Sequence, residues 1–265
     1  MLNRHLCLAR NAILALCNLL PYAGIAHADE IKVLTTGILK GSFTRIATQF
    51  ESESGHKLTM SWGPSSGNSP EASPVRVRSG EQIDVLIMVN TGMDDLVRSG
   101  HFVALDRKDV TVSRIGVAVK AGHPVPDIST PSALRQALLN AKSIGYSEGA
   151  SGTYVAADLL KKLGIADQVA AKSHVILGRK FVAEAVADGE VELGIQQLSE
   201  LRLEPGVTVV GPLPEELQKA SVVSAAVSSK ARNPDAARRF LAFLSTPFAT
   251  AAIRDSGLDL PVAKP

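Results

Sequence analysis

The sequence predicts an α/β protein built as two lobes with a ligand cleft between them, and three observations carry that prediction. Short β-rich runs alternate with helical stretches along most of the 265 residues. The alternation falls into two blocks with no linker or low-complexity tract between them. A late apolar run, Val222–Val227, returns toward the first block, so the chain crosses between the lobes more than once. Ligands of such folds sit in the crevice at the carboxyl ends of the strands.

Residues 1–28 carry the marks of an export signal. Arg4 and Arg10 give a basic start, Ala12–Leu20 is an apolar core, and Ala26-His27-Ala28 is a small-x-small site for cleavage after Ala28. The apolar run is too short for a spanning anchor, and bulky Leu16 before Cys17 argues against lipidation. A periplasmic location follows. Removing the signal takes away two of the 28 basic residues and both cysteines, leaving 26 basic against 26 acidic residues. That balance gives no reason to expect a nucleic-acid partner. Without thiols there is no disulfide framework or thiolate metal site, so the fold rests on core packing.

In the first block, Ile31–Leu34 is a short strand ending at Thr35-Thr36-Gly37. Behind it Phe43, Ile46, Ala47 and Phe50 share one face of a helix, with Gly55 past its end. Leu58–Trp62 is the next strand, and Gly63–Pro74 a Gly/Ser/Pro-rich irregular stretch. Ile83–Met88 is nearly continuously apolar, the pattern of a strand buried on both faces of a parallel sheet. Met93–Arg98 is a short helix closed by Gly100.

In the second block, strands are expected at Ile115–Val119, Ser143–Tyr146, Val175–Leu177, Val191–Ile195 and Val207–Val210. The helices between them are Pro131–Ala141 with Thr130 as N-cap, Gly152–Leu163 ended by Gly164, and Lys180–Asp188. After the returning strand come Pro234–Leu244, capped by Asn233, and Pro247–Asp255. The first lobe is then 29–113, the second 114–222, and 223–265 returns to the first.

Three strand-to-loop corners share a composition: Thr35-Thr36-Gly37, Gly63-Pro64-Ser65-Ser66-Gly67, and Ser147-Glu148-Gly149-Ala150-Ser151-Gly152-Thr153. Helix starts offer free N–H donors and a partial positive charge, glycines allow close backbone approach, and hydroxyls add donors. The same residues also make ordinary caps and turns. Their recurrence in both blocks points to capture of a small anion.

Gly63-Pro64-Ser65-Ser66-Gly67 also fits the G-x-S-x-G elbow of serine hydrolases. The elbow requires a strand running straight into a helix, yet Asn68-Ser69-Pro70 follows, and His101, His123 and His174 lack a catalytic context. His56 and those three are scattered, and neither H-E-x-x-H nor a P-loop occurs, so no metal or cofactor is called for. Arg76 and Arg78 read as an exposed pair, with a cleft clamp as the alternative. Trp62 and Tyr154 read as core, with a pocket wall as the alternative.

The chain resembles the periplasmic molybdate-binding family of type II solute-binding proteins of ABC importers. The resemblance is carried by Ile31–Leu34 with Ile46–Phe50, by Ser65-Ser66, by Ile83–Ile87, by Gly152-Thr153-Tyr154 before Leu160–Gly164, by Leu193–Ile195, and by Ala236–Leu244 and Pro247–Gly257. It spans nearly the whole chain after the signal. It implies a two-lobed type II periplasmic-binding-protein fold, a molybdate- or tungstate-like oxyanion held between the lobes, a membrane permease as partner, a monomer, and no reaction. The family grips its oxyanion with a first-corner serine, a second serine, backbone N–H groups and a tyrosine after the late strand. Here Ile38 stands at the first position and Gln197 at the tyrosine's; Ser65 or Ser66 keeps the second serine, and Ser151, Gly152 and Thr153 supply donors. The site implied is thus Thr36, Gly37, Ile38, Ser65, Ser66, Ser151, Gly152, Thr153 and Gln197. Losing a hydroxyl at Ile38 and gaining an acceptor at Gln197 opens the alternative of a small carboxylate or hydroxy acid. A ligand sensor on the same fold is a further alternative.

Overall fold

A computed structural model describes residues 29–262, so the export signal expected at 1–28 lies outside the described residues. The alternation of the sequence becomes two five-stranded mixed sheets. The first is built from β1 (Glu30–Thr35), β2 (Lys57–Trp62), β3 (Val85–Val89), β4 (Phe102–Ser113) and β10 (Ser221–Ser228) in the order β2-β1-β3-β10-β4. β1 pairs in parallel with β2 and β3, while β10 runs antiparallel to both β3 and β4. The second sheet holds β5 (Ile115–Lys120), β6 (Ile144–Ser147), β7 (Ser173–Ile176), β8 (Leu193–Gln197) and β9 (Val207–Pro212) in the order β7-β6-β8-β5-β9. β6 is parallel to β7 and β8, and β5 is antiparallel to β8 and β9.

Only Arg114 separates the last residue of β4 from the first of β5, so one passage between the sheets is abrupt. The other runs from β9 to β10, and the returning strand inserts between β3 and β4 as its apolar run predicts.

Alternate residues of the first sheet face two cores. Val33, Val85 and Ile87 pack with α1 (Lys40–Ser54), α10 (Pro234–Phe243) and α11 (Pro247–Asp255). Phe240 anchors this side, its ring 6.0 Å from Phe43 and 5.0 Å from Phe50 between centroids. Leu34, Leu86 and Met88 face the other way, onto Met93 and Leu96 of α3 (Asn90–Arg98). Burial on both faces is why this strand reads as an unbroken apolar run. In the second sheet, Ile115, Val117, Ile144 and Ile195 pack against α4 (Pro131–Asn140) and the helix that starts at Ala150. Among the described residues no helix is long and apolar enough to cross a membrane.

Four elements differ from expectation. β4 was not anticipated, because as an edge strand paired only with β10 it tolerates polar residues and a fully exposed Leu105. The expected helix 152–163 is three pieces: α5 (Ala150–Tyr154), a widened turn at Val155–Leu159, and α6 (Leu160–Lys162). After a short α7 (Ala166–Val169), the helix expected from Lys180 begins later, as α8 (Val182–Asp188), because Glu184 accepts from the Phe181 N–H at 3.0 Å and caps it there. Finally, within Gly63–Pro74 and just beyond it, Ser73–Arg78 forms α2. Arg76 on it is neither exposed nor in the cleft. It is buried in an ion pair with Glu81 and donates to the Trp62 carbonyl and Ser61 Oγ, each at 3.0 Å.

Candidate functional site

The carboxyl ends of six strands, three from each sheet, converge on one cleft of about 730 Å3 including its mouth. From the first sheet, β1 delivers Thr36, Gly37 and Ile38, β2 delivers Trp62, Pro64 and Ser65, and β3 delivers Val89. From the second, β6 delivers Ser147 and Ser151, β7 delivers Arg179, Lys180 and Phe181, and β8 delivers Gln196, Gln197 and Glu200. The topology explains the convergence: parallel strands of both sheets point their carboxyl ends toward the gap between them.

Six of the nine residues singled out from sequence line this cleft: Thr36, Gly37, Ile38, Ser65, Ser151 and Gln197. Ser65 Oγ accepts the Val89 N–H at 3.2 Å, which leaves its own proton free to donate. Ser151 Oγ lies 3.4 Å from Ser147 Oγ. Gln197 Nε2 donates to Ser221 Oγ at 3.3 Å, and its buried Oε1 has no partner among the described residues. The other three lie elsewhere. Ser66 and Thr153 line a neighbouring cavity, their hydroxyls 3.4 Å apart. Gly152 packs against the Ser147 carbonyl so closely that any Cβ would collide with it. Trp62 forms a wall, edge-on to Phe43 at 5.9 Å. Tyr154 is core, its hydroxyl donating to the Leu217 carbonyl at 2.7 Å.

Opposite Gly37 the second sheet presents two side chains that sequence reasoning missed. A Cβ built on Gly37 would lie 2.5 Å from Glu200 Oε1 and 2.5 Å from Phe181 Cε1. Glycine is therefore what allows the two sides to meet here. Lys40 Nζ sits 4.9 Å from the Phe181 ring centroid, a cation–π contact across the same gap. Lys180 is engaged with Asp188 at 2.8 Å and Glu190 at 2.7 Å, whereas no ion pair is formed by Arg179 among the described residues.

Glu200 lies on α9 (Leu198–Leu201), directly after β8. It is buried and forms no salt bridge among the described residues. Burial raises its pKa to about 8, and the Gln196 side chain pulls weakly the other way by hydrogen bonding. Gln196 is held in place because its Oε1 accepts the Val182 N–H at 2.8 Å, which turns its amide N–H2 toward the acid. A carboxyl poised near neutrality inside a cleft is a group fitted to move protons. The one signal in the sequence was its position just past a buried strand's carboxyl end. Among the described residues no histidine lines the cleft.

A second set of contacts ties the corners together at the rim. Glu148 Oε1 accepts the Gly178 N–H at 2.8 Å and Oε2 accepts the Ser69 N–H at 3.2 Å, joining the loop after β2 to the second sheet.

Residues 31–259 match the model of the bacterial extracellular solute-binding protein family. The chain is 39% identical over 245 residues to an aconitate isomerase from a Pseudomonas species, covering 92% of this chain and 93% of that one. It is 28% identical over 246 residues to the molybdate-binding protein of Azotobacter vinelandii, covering 89% and 92% respectively. The solved periplasmic molybdate-binding protein of A. vinelandii superposes with a TM-score of 0.70 at 21% identity, over 88% of this chain and all of that one. The isomerase relative overturns the expectation of a protein without a reaction. The sequence reading counted only hydroxyl and N–H donors and left out Glu200, a buried carboxyl lining the same cleft.

Proposed function

The chain belongs to the bacterial extracellular solute-binding proteins, in the molybdate-binding-like type II branch, and from that premise we propose that its cleft binds a small polycarboxylate of the aconitate class and isomerises it. Membership brings a small ligand, an ABC permease as partner and a place outside the cytoplasm. One observation carries the finer reading. The cleft combines the cations Lys40 and Arg179 and the neutral donors Thr36, Ser65 and Ser151 with a buried carboxyl, Glu200. A fully deprotonated oxyanion calls for donors alone. A polycarboxylate offers charge to the cations and donors, and a carbon skeleton to Ile38, Trp62 and Phe181.

The chemistry fits the inventory. Aconitate is a propene bearing three carboxylates, and its geometric isomers interconvert only if the double bond is transiently lost. Removing a proton from the methylene beside that bond does so, spreading the charge over three carbons and the attached carboxylates. Cations and donors lower the cost of that charge in a site shielded from water. In the same proposal, the backbone N–H of Gly37 assists, Gln197 Oε1 meets a ligand proton, and Ser66 and Thr153 tie the neighbouring corners together. Residues 1–28 are a cleaved signal delivering a monomer to the periplasm, with lobes 29–113 plus 223–265 and 114–222.

The test compares cis-aconitate, trans-aconitate, citrate, molybdate and tungstate by thermal shift, with ultraviolet absorbance following the aconitates. Aconitate should raise the unfolding midpoint and be interconverted, while molybdate does neither. A large shift with molybdate or tungstate and no change in the aconitates would overturn the proposal.

A further inference from the structure

We propose that Glu200 is the catalytic residue that takes the proton from the substrate's methylene carbon and returns it to the far carbon of the same three-carbon unit. The inference rests on the polycarboxylate reading of the cleft and assigns its chemical step.

Four features of the structure converge on this carboxyl. Its side chain lines the cleft from the side of the second sheet, close against Gly37 of the first. It is not occupied structurally, since no cation pairs with it among the described residues, although Lys40 and Arg179 line the same cavity. Its hydrogen-bonding neighbour Gln196 is fixed by the Val182 N–H, so the acid has an oriented donor. It is also the one acidic side chain lining the cleft among the described residues. Burial keeps it basic enough, once ionised, to accept a carbon-bound proton.

The step balances without any co-reactant. Glu200 as carboxylate forms an O–H bond while the methylene C–H bond breaks, and the C–H electron pair enters the allylic system. That system's charge is delocalised into the flanking carboxylates, which face Lys40 and Arg179. The Glu200 O–H bond then breaks as a C–H bond forms at the other end, and the double bond has moved by one carbon. If the substrate's remaining single bond is held in the other rotamer, the product is the opposite geometric isomer. Nothing is oxidised or reduced, and Glu200 ends as it began.

The experiment uses the full chain as wild type, Glu200→Gln and Glu200→Asp, each with cis-aconitate. Binding is read by thermal shift, and turnover and deuterium incorporation from D2O by proton NMR. Glu200→Gln should keep a ligand-induced midpoint shift like the wild type's and lose turnover and deuterium incorporation together, by about 100-fold or more. Glu200→Asp, which retracts the acid by one methylene, should restore a measurable part of both. Wild-type turnover in Glu200→Gln would overturn the assignment and leave the polycarboxylate reading standing. Should Glu200→Gln fail to fold, wild-type turnover in Glu200→Ala would overturn it instead. No turnover by the wild type would remove the polycarboxylate reading and this step with it.

Discussion

Gly37 is the point where a single methyl group would disturb the packing of the cleft. Its Cβ would stand 2.5 Å from both Glu200 Oε1 and the Phe181 ring, tighter than real contacts allow. Gly37→Ala should therefore push the Glu200 and Phe181 side chains out of place, weakening ligand binding about tenfold, with isothermal calorimetry as the measure. Glu200 makes a second prediction at this scale, from its pKa of about 8. Because burial raises the folded-state value, the folded protein holds a proton that the unfolded chain loses as pH rises from about 4.5 to 8. Stability falls across that window, by at most roughly 1.4 kcal/mol per pH unit, and is flat outside it. Glu200→Gln never ionises, so its midpoint should gain on wild type from pH 5 to pH 8 in thermal melts. Equal pH slopes for the two proteins would show that Glu200 is not shifted. The corner residues Thr36, Ser65 and Ser151 were legible in the sequence because donors at strand ends have a recognisable composition. Glu200 was not, since an acid in a short helical turn reads as a solvated side chain until the fold shows which way it faces.

At the scale of elements, α2 shows how a motif can carry structure instead of ligand. Arg76 pins the end of β2 to the loop after α2 through Glu81, Ser61 Oγ and the Trp62 carbonyl. The neighbouring cation holds the Glu81 carboxyl below its ordinary range. Arg76→Ala should cost about 2–3 kcal/mol in denaturant unfolding, less than the ~3–5 of a fully buried pair because Glu81 keeps 37% of its side chain in water. It should also loosen Trp62 at the cleft wall. A loss below about 0.5 kcal/mol would mean the pair is only superficial. Most elements were readable: the two-faced burial of β3 came from its apolar run, and α4 and α10 came from Thr130 and Asn233, whose side chains accept from Ala133 N and Ala236 N at 3.1 Å. What escaped had no periodic signature. β4 is an edge strand whose pattern is broken by charges, and the widened turn at Val155–Leu159 leaves the apolar spacing of a helix unchanged.

For the whole molecule, two sheets are joined by two passages, and a ligand touching both sides would favour the arrangement that keeps them together. The rim contacts from Glu148 to Ser69 and Gly178 tie the two sides of the cleft together. Glu148→Ala should thus lower ligand affinity several-fold and reduce the ligand-induced contraction seen by small-angle scattering, while leaving the far-ultraviolet circular dichroism unchanged. The two-block organisation was legible from the alternation and the returning strand. Ligand identity was not, because it depends on which side chains from distant parts of the chain share the gap: Gly37 with Phe181, and Ser65 with Glu200. The most direct test of the account follows wild-type protein by proton NMR, starting in separate tubes from pure cis- and pure trans-aconitate. Both tubes should converge on one mixture at rates proportional to protein concentration. Both isomers persisting unchanged alongside saturable, tight binding of molybdate would contradict it.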